Sequence, residues 1–506
     1  HAATRITGME SSGGRTRMVL DSSGDYRLYD PGDVKAPASI EAVTMQGYAE
    51  SGMQADYIVV SHRRFLTPAQ RLAAYRAQAD GYSTLVVDVE DLYNEFNYGH
   101  KDPVAIRRFS EHAWRNWQSP APRFLTLIGD ASWDARQVTP SASKVDYVPA
   151  YGNPVSDNYY VSFAESDHDP YPYMAIGRIP AETASSADAV IDKIIAYESA
   201  PPQPWDNRYL FSVGGENPFE QAILKGFAES LIEGRVIPHC IEPRKILKKT
   251  LDLVSYDDLD TLIHEVNRGV SWFFFAGHGG TRVIDVGIER PDIFDNVDKY
   301  LFFVTMSCNT AHFAEPFETG LNERFVNSPQ NGAVVAYGTS GLGEINYDFY
   351  VSDGMFSALI DSSVRSYGEL STLGKRNLIR VYSGLPPGVV HTVNQLCILG
   401  DPATRVPLAR TPELAVRAEE IRTEPTIISE QTQTRIHTRL RNYGLCMADS
   451  VDVRLTVAHA GAPVFTELRR VAPWAIDTLE LAWDYDFAGV DGAVNITIAV
   501  DVAFEV

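Results

Sequence analysis

Short apolar runs alternate with amphipathic stretches along residues 56–408. The runs at Asp56–His62, Phe124–Ser132 and Tyr173–Ala181 are rich in β-branched and aromatic residues, which is typical of buried strands. The stretches between such runs place apolar residues at helical spacing, as over Ser185–Glu198, and several carry start and stop signals for a helix. Strands that alternate with helices predict an α/β fold built on a mainly parallel sheet.

The same patterns divide the chain into regions. A proline cluster at Ala200–Trp205 predicts a boundary between a first α/β subdomain, residues 56–205, and a second one, residues 206–410. Residues 411–506 alternate apolar and polar positions without helix signals, which predicts an immunoglobulin-like β-sandwich. Residues 1–55 contain short β-like runs and a linker, and we expect them to be the tail of an N-terminal β region.

Two apolar runs of the second subdomain lead into reactive side chains. The run Ser271–Ala276 is followed by His278, and the run Tyr300–Met306 is followed by Cys308. Ligands bind at the carboxyl ends of the strands in open α/β sheets, so we expect the two side chains to meet there. A buried inert thiol and a turn histidine are each common. Their joint placement after two strands favours a thiolate–imidazolium pair.

Net charge and hydropathy exclude several partners. The chain of 506 residues has a formal net charge of −22, which argues against nucleic acid, because nucleic-acid binding needs a basic face. No apolar stretch is long enough for a transmembrane helix, so we expect no membrane insertion by this chain. The sequence begins without Met or a signal peptide, and we expect further secretion or surface-attachment domains outside it.

The four cysteines do not form a disulfide-rich scaffold. Cys397 lies in an apolar run and is predicted to be a buried small hydrophobe. The sequence assigns no role to Cys240 or Cys446.

Cys308 and His278 have the neighbours that a cysteine hydrolase needs. Such an enzyme uses a nucleophile, a proton carrier and hydrogen-bond donors for the oxyanion. The glycines around His278 leave the Gly279 N–H free to face a substrate, and with the Cys308 N–H it would form an oxyanion hole. His312, four residues after Cys308, is a weaker candidate for the base, because the thiol is expected to point from the strand end toward the substrate.

Two short motifs and their surroundings resemble the gingipains, members of the caspase-like clan CD of cysteine peptidases. These are GHGG at Gly277–Gly280 and SCN at Ser307–Asn309; in that clan the histidine precedes the cysteine and each follows a strand. Segments that resemble landmarks of the gingipain peptidase domain occur in the same order: ADYIVVSH, LTLIGDAS, AIGRIPAET, GLNERFV, NGAVVAYGTS and ILGDPA. The resemblance covers residues 55–408 and implies a caspase-like domain of two side-by-side α/β subdomains followed by a sandwich.

The resemblance implies roles for three residues. Cys308 matches the nucleophile and His278 the general acid/base. The third member of the family's site is a carboxylate that orients the histidine, and Glu216, after the first strand of the second subdomain, is its match. The structural alternative for Glu216 is an acid that stabilises the N-terminus of the following helix.

Four further residues are candidates for the substrate pocket. Arginine-directed relatives place an acidic residue near the start of the helix after that glutamate, and Glu220 is the nearest match. Glu344, after the run Gly332–Ser340, is a second acidic candidate; either carboxylate would pair with a basic substrate side chain. A solvated surface position is the alternative for both. Ala276 and Met306 precede the dyad on their strands and are expected to line the pocket.

An acidic loop, Ser166–Tyr171, predicts a metal site. Asp167 and Asp169 could bind structural calcium through their carboxylates, and gingipain-like enzymes carry such calcium. A solvated acidic loop is the alternative. The predicted chemistry itself requires no cofactor.

We therefore expect a cysteine endopeptidase that acts on polypeptides, outside the cytoplasm or on the surface of a bacterium. A gingipain-like sortase of the type IX secretion system, which cleaves C-terminal signals and transfers the product to an amine, would use the same dyad. The sequence does not separate water from an amine as the acceptor. A third interpretation, an inactive peptidase fold serving in adhesion or as a scaffold, conflicts with the intact dyad.

Overall fold

The computed structural model of the chain describes most residues from 42 onward and two short strands before them. The described ranges are 10–12, 15–17, 42–50, 52–164, 169–247, 256–408, 411–427, 433–444, 446–447, 449–473 and 478–500. The chain separates into two compact units, His1–Thr44 and Met45–Val506. In the first unit, β1 (Glu10–Ser12) and β2 (Arg15–Arg17) form an antiparallel hairpin.

The second unit contains a ten-stranded sheet among its described residues. Its strands are β3 (Tyr57–Ser61), β4 (Thr84–Asp88), β5 (Phe124–Ile128), β6 (Ala175–Ile179), β7 (Arg208–Val213), β8 (Glu242–Leu247), β9 (Trp272–Ala276), β10 (Leu301–Met306), β11 (Ala333–Thr339) and β12 (Leu396–Leu399). Their spatial order is β4-β3-β5-β6-β12-β11-β10-β9-β7-β8. Most of these strands are buried along their whole length, as the continuous apolar runs predict.

Helices connect these strands. They are α1 (Leu66–Asp80), α2 (Val89–Asn97), α3 (Pro103–Asn116), α4 (Ala184–Ser199), α5 (Pro218–Leu231), α6 (Tyr256–Arg268), α7 (Leu321–Asn327), α8 (Ile345–Ile360), α9 (Tyr367–Val381) and α10 (Pro387–Gln395). The predicted mixed α/β fold with a parallel-rich sheet is confirmed.

The sheet consists of two parallel halves that run in opposite directions. Strands β4, β3, β5, β6 and β12 are parallel, and so are β11, β10, β9, β7 and β8. The halves join at the antiparallel pair β11–β12, where Tyr337 lies opposite Ile398. Although residues 396–399 fall within the predicted second subdomain, β12 runs with the first half. The two predicted subdomains therefore share one continuous sheet.

A short helix follows β4 directly. It is α2, whose N-cap Asp88 accepts a hydrogen bond from the Glu90 backbone N–H. Leu92 and Tyr93 of this helix are buried in a smaller core between α2, α3 and the sheet. A helix of nine residues is marginal in isolation, so packing of this apolar face against the sheet stabilises it.

The C-terminal region forms two antiparallel sheets around a separate core. Its strands are β13 (Leu414–Val416), β14 (Arg422–Glu424), β15 (Gln433–Asn442), β16 (Val451–His459), β17 (Ala462–Val471), β18 (Thr478–Asp486) and β19 (Val494–Val500). In one sheet β15 pairs with β13, β14 and β18; in the other β16 pairs with β17 and β19. The buried side chains between them include Ile436, Leu455 and Trp483. The immunoglobulin-like connection of these strands stays a prediction.

A disulfide bond joins Cys240, just beyond α5 and its irregular extension, to Cys446 of the C-terminal region. The two cysteines are separated by 206 residues, and their spacing gave no sign of the pairing. Cys397 is buried and free, and Cys308 is free and partly exposed. Among the described residues, no helix combines the length and the hydropathy needed to span a bilayer.

Candidate active site

Three neighbouring strands deliver the candidate catalytic residues to one edge of the sheet. In the order β10, β9, β7, Cys308 follows Met306, His278 follows Ala276 and Glu216 follows Val213. The three strands are parallel, so their carboxyl ends lie side by side. The apolar runs predicted this placement for Cys308 and His278, and the family resemblance pointed to Glu216.

The imidazole of His278 contacts the carboxylate of Glu220. His278 Nε2 lies 2.6 Å from Glu220 Oε1, and the two side chains are 47% and 28% exposed. This contact leaves the ring Nδ1 for another partner. Glu220 was predicted to lie in the substrate pocket and Glu216 to orient the histidine, but it is the Glu220 carboxylate that contacts the imidazole.

Helix capping holds Glu220 in this position. Asn217 is the N-cap of α5, and its side chain accepts a hydrogen bond from the Glu220 N–H. The other oxygen of the carboxylate, Oε2, accepts a hydrogen bond of 2.9 Å from the Glu216 N–H. Glu216 therefore supports Glu220 through its backbone, while its own side chain is exposed.

Cys308 and His278 line one cavity of about 370 Å³. Its walls include Phe219, Glu220 and Ile223 from the start of α5, Met306 and Ser307 beside the thiol, and Gly343 after β11. Phe219 and Ile223 are exposed although they are apolar. An open, partly apolar cavity around a thiol and an imidazole can receive a peptide segment.

Asp348 is a carboxylate of this cavity that the sequence analysis missed. It lies on the first turns of α8, lines the same cavity as Cys308, and is only 1% exposed. Within the described part of the chain its Oδ1 has no hydrogen-bond partner. Burial, and secondarily the charge of Glu344, raises the pKa of Asp348 to about 7. A buried carboxyl group without a partner is suited to a cationic ligand.

The other predicted pocket residues divide into two groups. Met306 lines the cavity, whereas Ala276 is buried in its strand and is not part of the wall. Glu344 is the exposed N-cap of α8 and lies outside the cavity wall. Asp348, four residues further along the chain, lines the cavity where Glu344 does not.

Gly279 lies closely against the residue before the nucleophile. A Cβ atom added to Gly279 would lie 2.4 Å from Ser307 Oγ, so only glycine fits at this position. The Ser307 hydroxyl is buried and has no hydrogen-bond partner among the described residues. The oxyanion hole formed by the Gly279 and Cys308 N–H groups stays a prediction.

Asp285 links the turns that carry the histidine and the glutamates. Its Oδ2 accepts a hydrogen bond of 2.7 Å from the Gly215 N–H, and its own backbone N–H donates to the His278 carbonyl at 2.9 Å. No strand or motif precedes Asp285, so the sequence offered no signal for it.

The calcium prediction falls partly outside the described residues. Asp167 lies in the gap at 165–168. Asp169 accepts a hydrogen bond from the Tyr171 N–H through Oδ1, as a solvated acidic turn also would. Within the described ranges, no group of three or more histidine, cysteine, aspartate or glutamate side chains is arranged to hold a metal ion. The calcium site therefore stays a prediction.

A larger cavity, of about 640 Å³, lies away from the dyad. Its walls include Tyr151, Tyr159 and His391, but neither Cys308 nor His278. Cavity size alone would therefore favour a cavity without the two reactive side chains, which both line the smaller one.

The chain is similar to known proteins in sequence profile and in fold. The sequence profile of peptidase family C25 matches residues 50–407. A crystal structure of the Arg-specific cysteine proteinase gingipain R (RgpB) superposes with a TM-score of 0.57 at 16% identity, covering 87% of this chain and 94% of that one. A complex of the pro- and mature domains of Porphyromonas gingivalis RgpB gives a TM-score of 0.53 at 15% identity, covering 87% and 99%.

At such identities the structural likeness shows the fold alone. A comparison with curated proteins found no significant match. The profile, however, spans nearly all of the ten-stranded sheet together with the turns that carry His278 and Cys308. The chain therefore belongs to peptidase family C25, the gingipain family of cysteine peptidases.

Proposed function

We propose that the chain is an endopeptidase in which Cys308 is the nucleophile, His278 the general acid/base and Glu220 the carboxylate that orients the imidazole. The observation that carries the proposal is the convergence of the thiol and the imidazole on one cavity, with Glu220 Oε1 2.6 Å from His278 Nε2. A carboxylate on one ring nitrogen favours the imidazolium form, and the imidazolium in turn favours the thiolate.

In the proposed reaction the Cys308 thiolate attacks the scissile carbonyl carbon. The Gly279 and Cys308 N–H groups stabilise the oxyanion that forms. When the C–N bond breaks, His278 gives its proton to the leaving amine, and a thioester remains on Cys308. His278 then takes a proton from water as the water attacks the thioester. The C–S bond breaks, the new carboxylic acid leaves and loses its proton to solvent, and the Cys308 thiolate and the His278 imidazolium are restored.

We further propose that the substrate residue preceding the scissile bond is Arg or Lys and that it pairs with Asp348. Two features support this assignment: Asp348 lines the cavity of the nucleophile, and its buried Oδ1 has no partner among the described residues. An ammonium or guanidinium group would satisfy this oxygen, whereas an apolar side chain would leave it buried and unpaired.

The disulfide supports a location outside the cytoplasm. Disulfides persist in oxidising compartments and are rare in the cytoplasm. A Cys240–Cys446 bond therefore fits a peptidase that is secreted or held on the cell surface.

The Cys308→Ala variant tests the proposed function. We expect it to abolish both cleavage of a peptide library and labelling by a thiol-reactive peptidyl electrophile, while circular dichroism shows an unchanged fold. The matched control is Cys397→Ala, which removes the other free thiol from a buried position. Unchanged cleavage by Cys308→Ala would refute the assignment. Adding hydroxylamine to the wild-type reaction and weighing the products would show whether an amine competes with water for the thioester.

A further inference from the structure

A long irregular segment of the first half of the sheet contacts the turn that carries the nucleophile. We call residues 130–148, which follow β5, the strap, and residues 307–316, which follow β10, the nucleophile turn. The Trp133 N–H donates to the Ala314 carbonyl, and the Ser143 and Lys144 N–H groups donate to the Pro316 carbonyl. The strap therefore holds the far end of the nucleophile turn through backbone hydrogen bonds.

One buried ammonium group completes this attachment. Lys144 Nζ donates to the Phe313 carbonyl at 2.7 Å and to both oxygens of the Glu323 carboxylate at 2.9 and 2.7 Å. It also lies 3.1 Å from Asp130 Oδ2. The side chains of Lys144, Glu323 and Asp130 are at most 2% exposed. A single cation thus joins the end of β5, the start of α7 and the nucleophile turn.

The near end of the nucleophile turn is held from the other side. The Asn309 N–H donates to the Gly341 carbonyl at 2.7 Å, and the Ala311 N–H donates to the Thr339 carbonyl at 2.9 Å, so the end of β11 fixes the residues next to Cys308. The middle of the turn is held by α7, whose Asn322 N–H donates to the Thr310 carbonyl at 3.0 Å. The far end is held by the strap of the other half of the sheet, and we expect its release to let Cys308 shift while the rest of the turn stays attached.

We propose that Lys144 is a positioning residue, which sets the distance and orientation of Cys308 relative to His278 by fixing the nucleophile turn to the strap. This inference rests on the proposed function, because it assigns Lys144 a role in that same site. Lys144 itself is not among the residues that line the cavity. It acts through the Phe313 carbonyl, five residues beyond the nucleophile.

Another buried lysine provides a matched control. Lys193 is 1% exposed and donates to the Val326 and Ser328 carbonyls at the other end of α7. Its hydrogen-bond partners are carbonyls of residues 325–331, all beyond the nucleophile turn. Its replacement by methionine removes a buried ammonium group of the same size without releasing that turn.

The test compares Lys144→Met with Lys193→Met in peptide cleavage and in alkylation of Cys308 by iodoacetamide. We expect Lys144→Met to lower kcat on the order of 10²-fold with little change in KM, because a misplacement of about 1 Å has that effect. Its Cys308 should also need a higher pH for rapid alkylation, since the pairing with His278 is weakened. Lys193→Met should retain the kcat and the alkylation profile of the wild type, and Lys144→Arg should recover part of the loss.

Equal losses in the two methionine variants would overturn the proposal, and so would a change in KM alone. If Lys144→Met does not fold, Asp130→Asn replaces it. Asp130→Asn keeps the size of the side chain and removes one of the two carboxylates that contact the Lys144 ammonium. An unchanged pH dependence of Cys308 alkylation in this folded variant would refute the role of Lys144. Alkylation requires no peptidase activity, so this arm remains informative even if the wild type cleaves no peptide and the proposed function fails.

Discussion

At the scale of single residues, the two candidate carboxylates beside His278 have different roles. Glu220 contacts the imidazole through its side chain, and Glu216 contributes its backbone N–H. The two residues are only four positions apart, one just before α5 and one in its first turn. Their positions in the sequence therefore do not show which of them contacts the imidazole. The Asn217 cap fixes the first turn of α5, and this places the Glu220 side chain next to His278.

Glutamine substitutions at these two positions should therefore differ. We expect Glu220→Gln to lower kcat on the order of 10²-fold, because the neutral amide no longer favours the imidazolium form of His278. Glu216→Gln should lower kcat by less than about twofold, since its backbone hydrogen bond is retained. Steady-state kinetics on one peptide checks both variants. A larger loss in Glu216→Gln than in Glu220→Gln would return the orienting role to Glu216.

Asp348 should make cleavage after basic residues depend on pH. Its pKa of about 7 means that the free enzyme gains the carboxylate as the pH rises through neutrality, so kcat/KM for Arg and Lys substrates should rise over the same range. Asp348→Asn should lower that kcat/KM by about 10²-fold and remove this limb of the profile. A profiled peptide library that shows apolar residues before the scissile bond would remove Asp348 from substrate recognition.

The same carboxyl group should reduce stability at alkaline pH. Its folded-state pKa of about 7 is above the ordinary value of 3.8, so the folded state loses stability as the pH rises from about 4 to about 7. Urea unfolding should show Asp348→Asn to be more stable than the wild type by about 4 kcal/mol at pH 8 and equally stable near pH 4. Equal stability at both pH values would mean that the group is ionised without penalty.

At the scale of elements, α5 connects the site to the C-terminal region. Glu220 lies in its first turn, and the chain continues from Leu231 through an irregular turn to Cys240, which is bonded to Cys446. The helix that carries Glu220 is thus joined, through the segment after it, to the C-terminal region by a disulfide bond.

Removal of this disulfide should lower stability. We expect the double variant Cys240→Ser, Cys446→Ser to lose about 2–4 kcal/mol of unfolding free energy, because the unfolded chain gains conformational freedom. Both proteins should carry Cys308→Ala so that the nucleophile cannot exchange with the disulfide. Urea unfolding of the parent in reductant is the control and should match the double variant. Identical unfolding of the oxidised parent and the double variant would contradict the prediction.

The local pattern of apolar and polar residues was enough to predict most of the strands and helices that carry the site. The runs that became β7, β9 and β10 are continuous and apolar, so both their type and the position of the residues after them could be predicted. β8 was missed because its sequence, EPRKIL, mixes charged and apolar residues, as an edge strand can.

Long-range relationships were beyond the reach of the sequence. Asp348 lies within a helix whose faces are both largely apolar, so the pattern could not show which residue faces the cavity. The Cys240–Cys446 bond and the ammonium of Lys144 join segments that are far apart in the chain. Such partners depend on how the elements pack and not on local periodicity.

At the scale of the whole molecule, the site depends on both halves of the sheet. Cys308, His278 and Glu220 come from the second half, whereas the strap comes from the first. The halves run in opposite directions, so their carboxyl edges face opposite ways, and the long segment after β5 is what brings the first half into contact with the nucleophile turn. The first half is therefore more than a support for the second.

The antiparallel junction also sets an order of events during synthesis. β12, which separates β6 from β11, is the last strand of the sheet to leave the ribosome, yet it lies at the centre. Until it is in place, β6 and β11 are open edges, and the two halves cannot join through hydrogen bonds. A nascent chain that stops before Leu396 thus carries Cys308, His278 and Glu220 without a closed sheet to hold them. The two halves of the sheet can join only once residues 396–399 have been synthesised, so the scaffold around these three side chains is completed last.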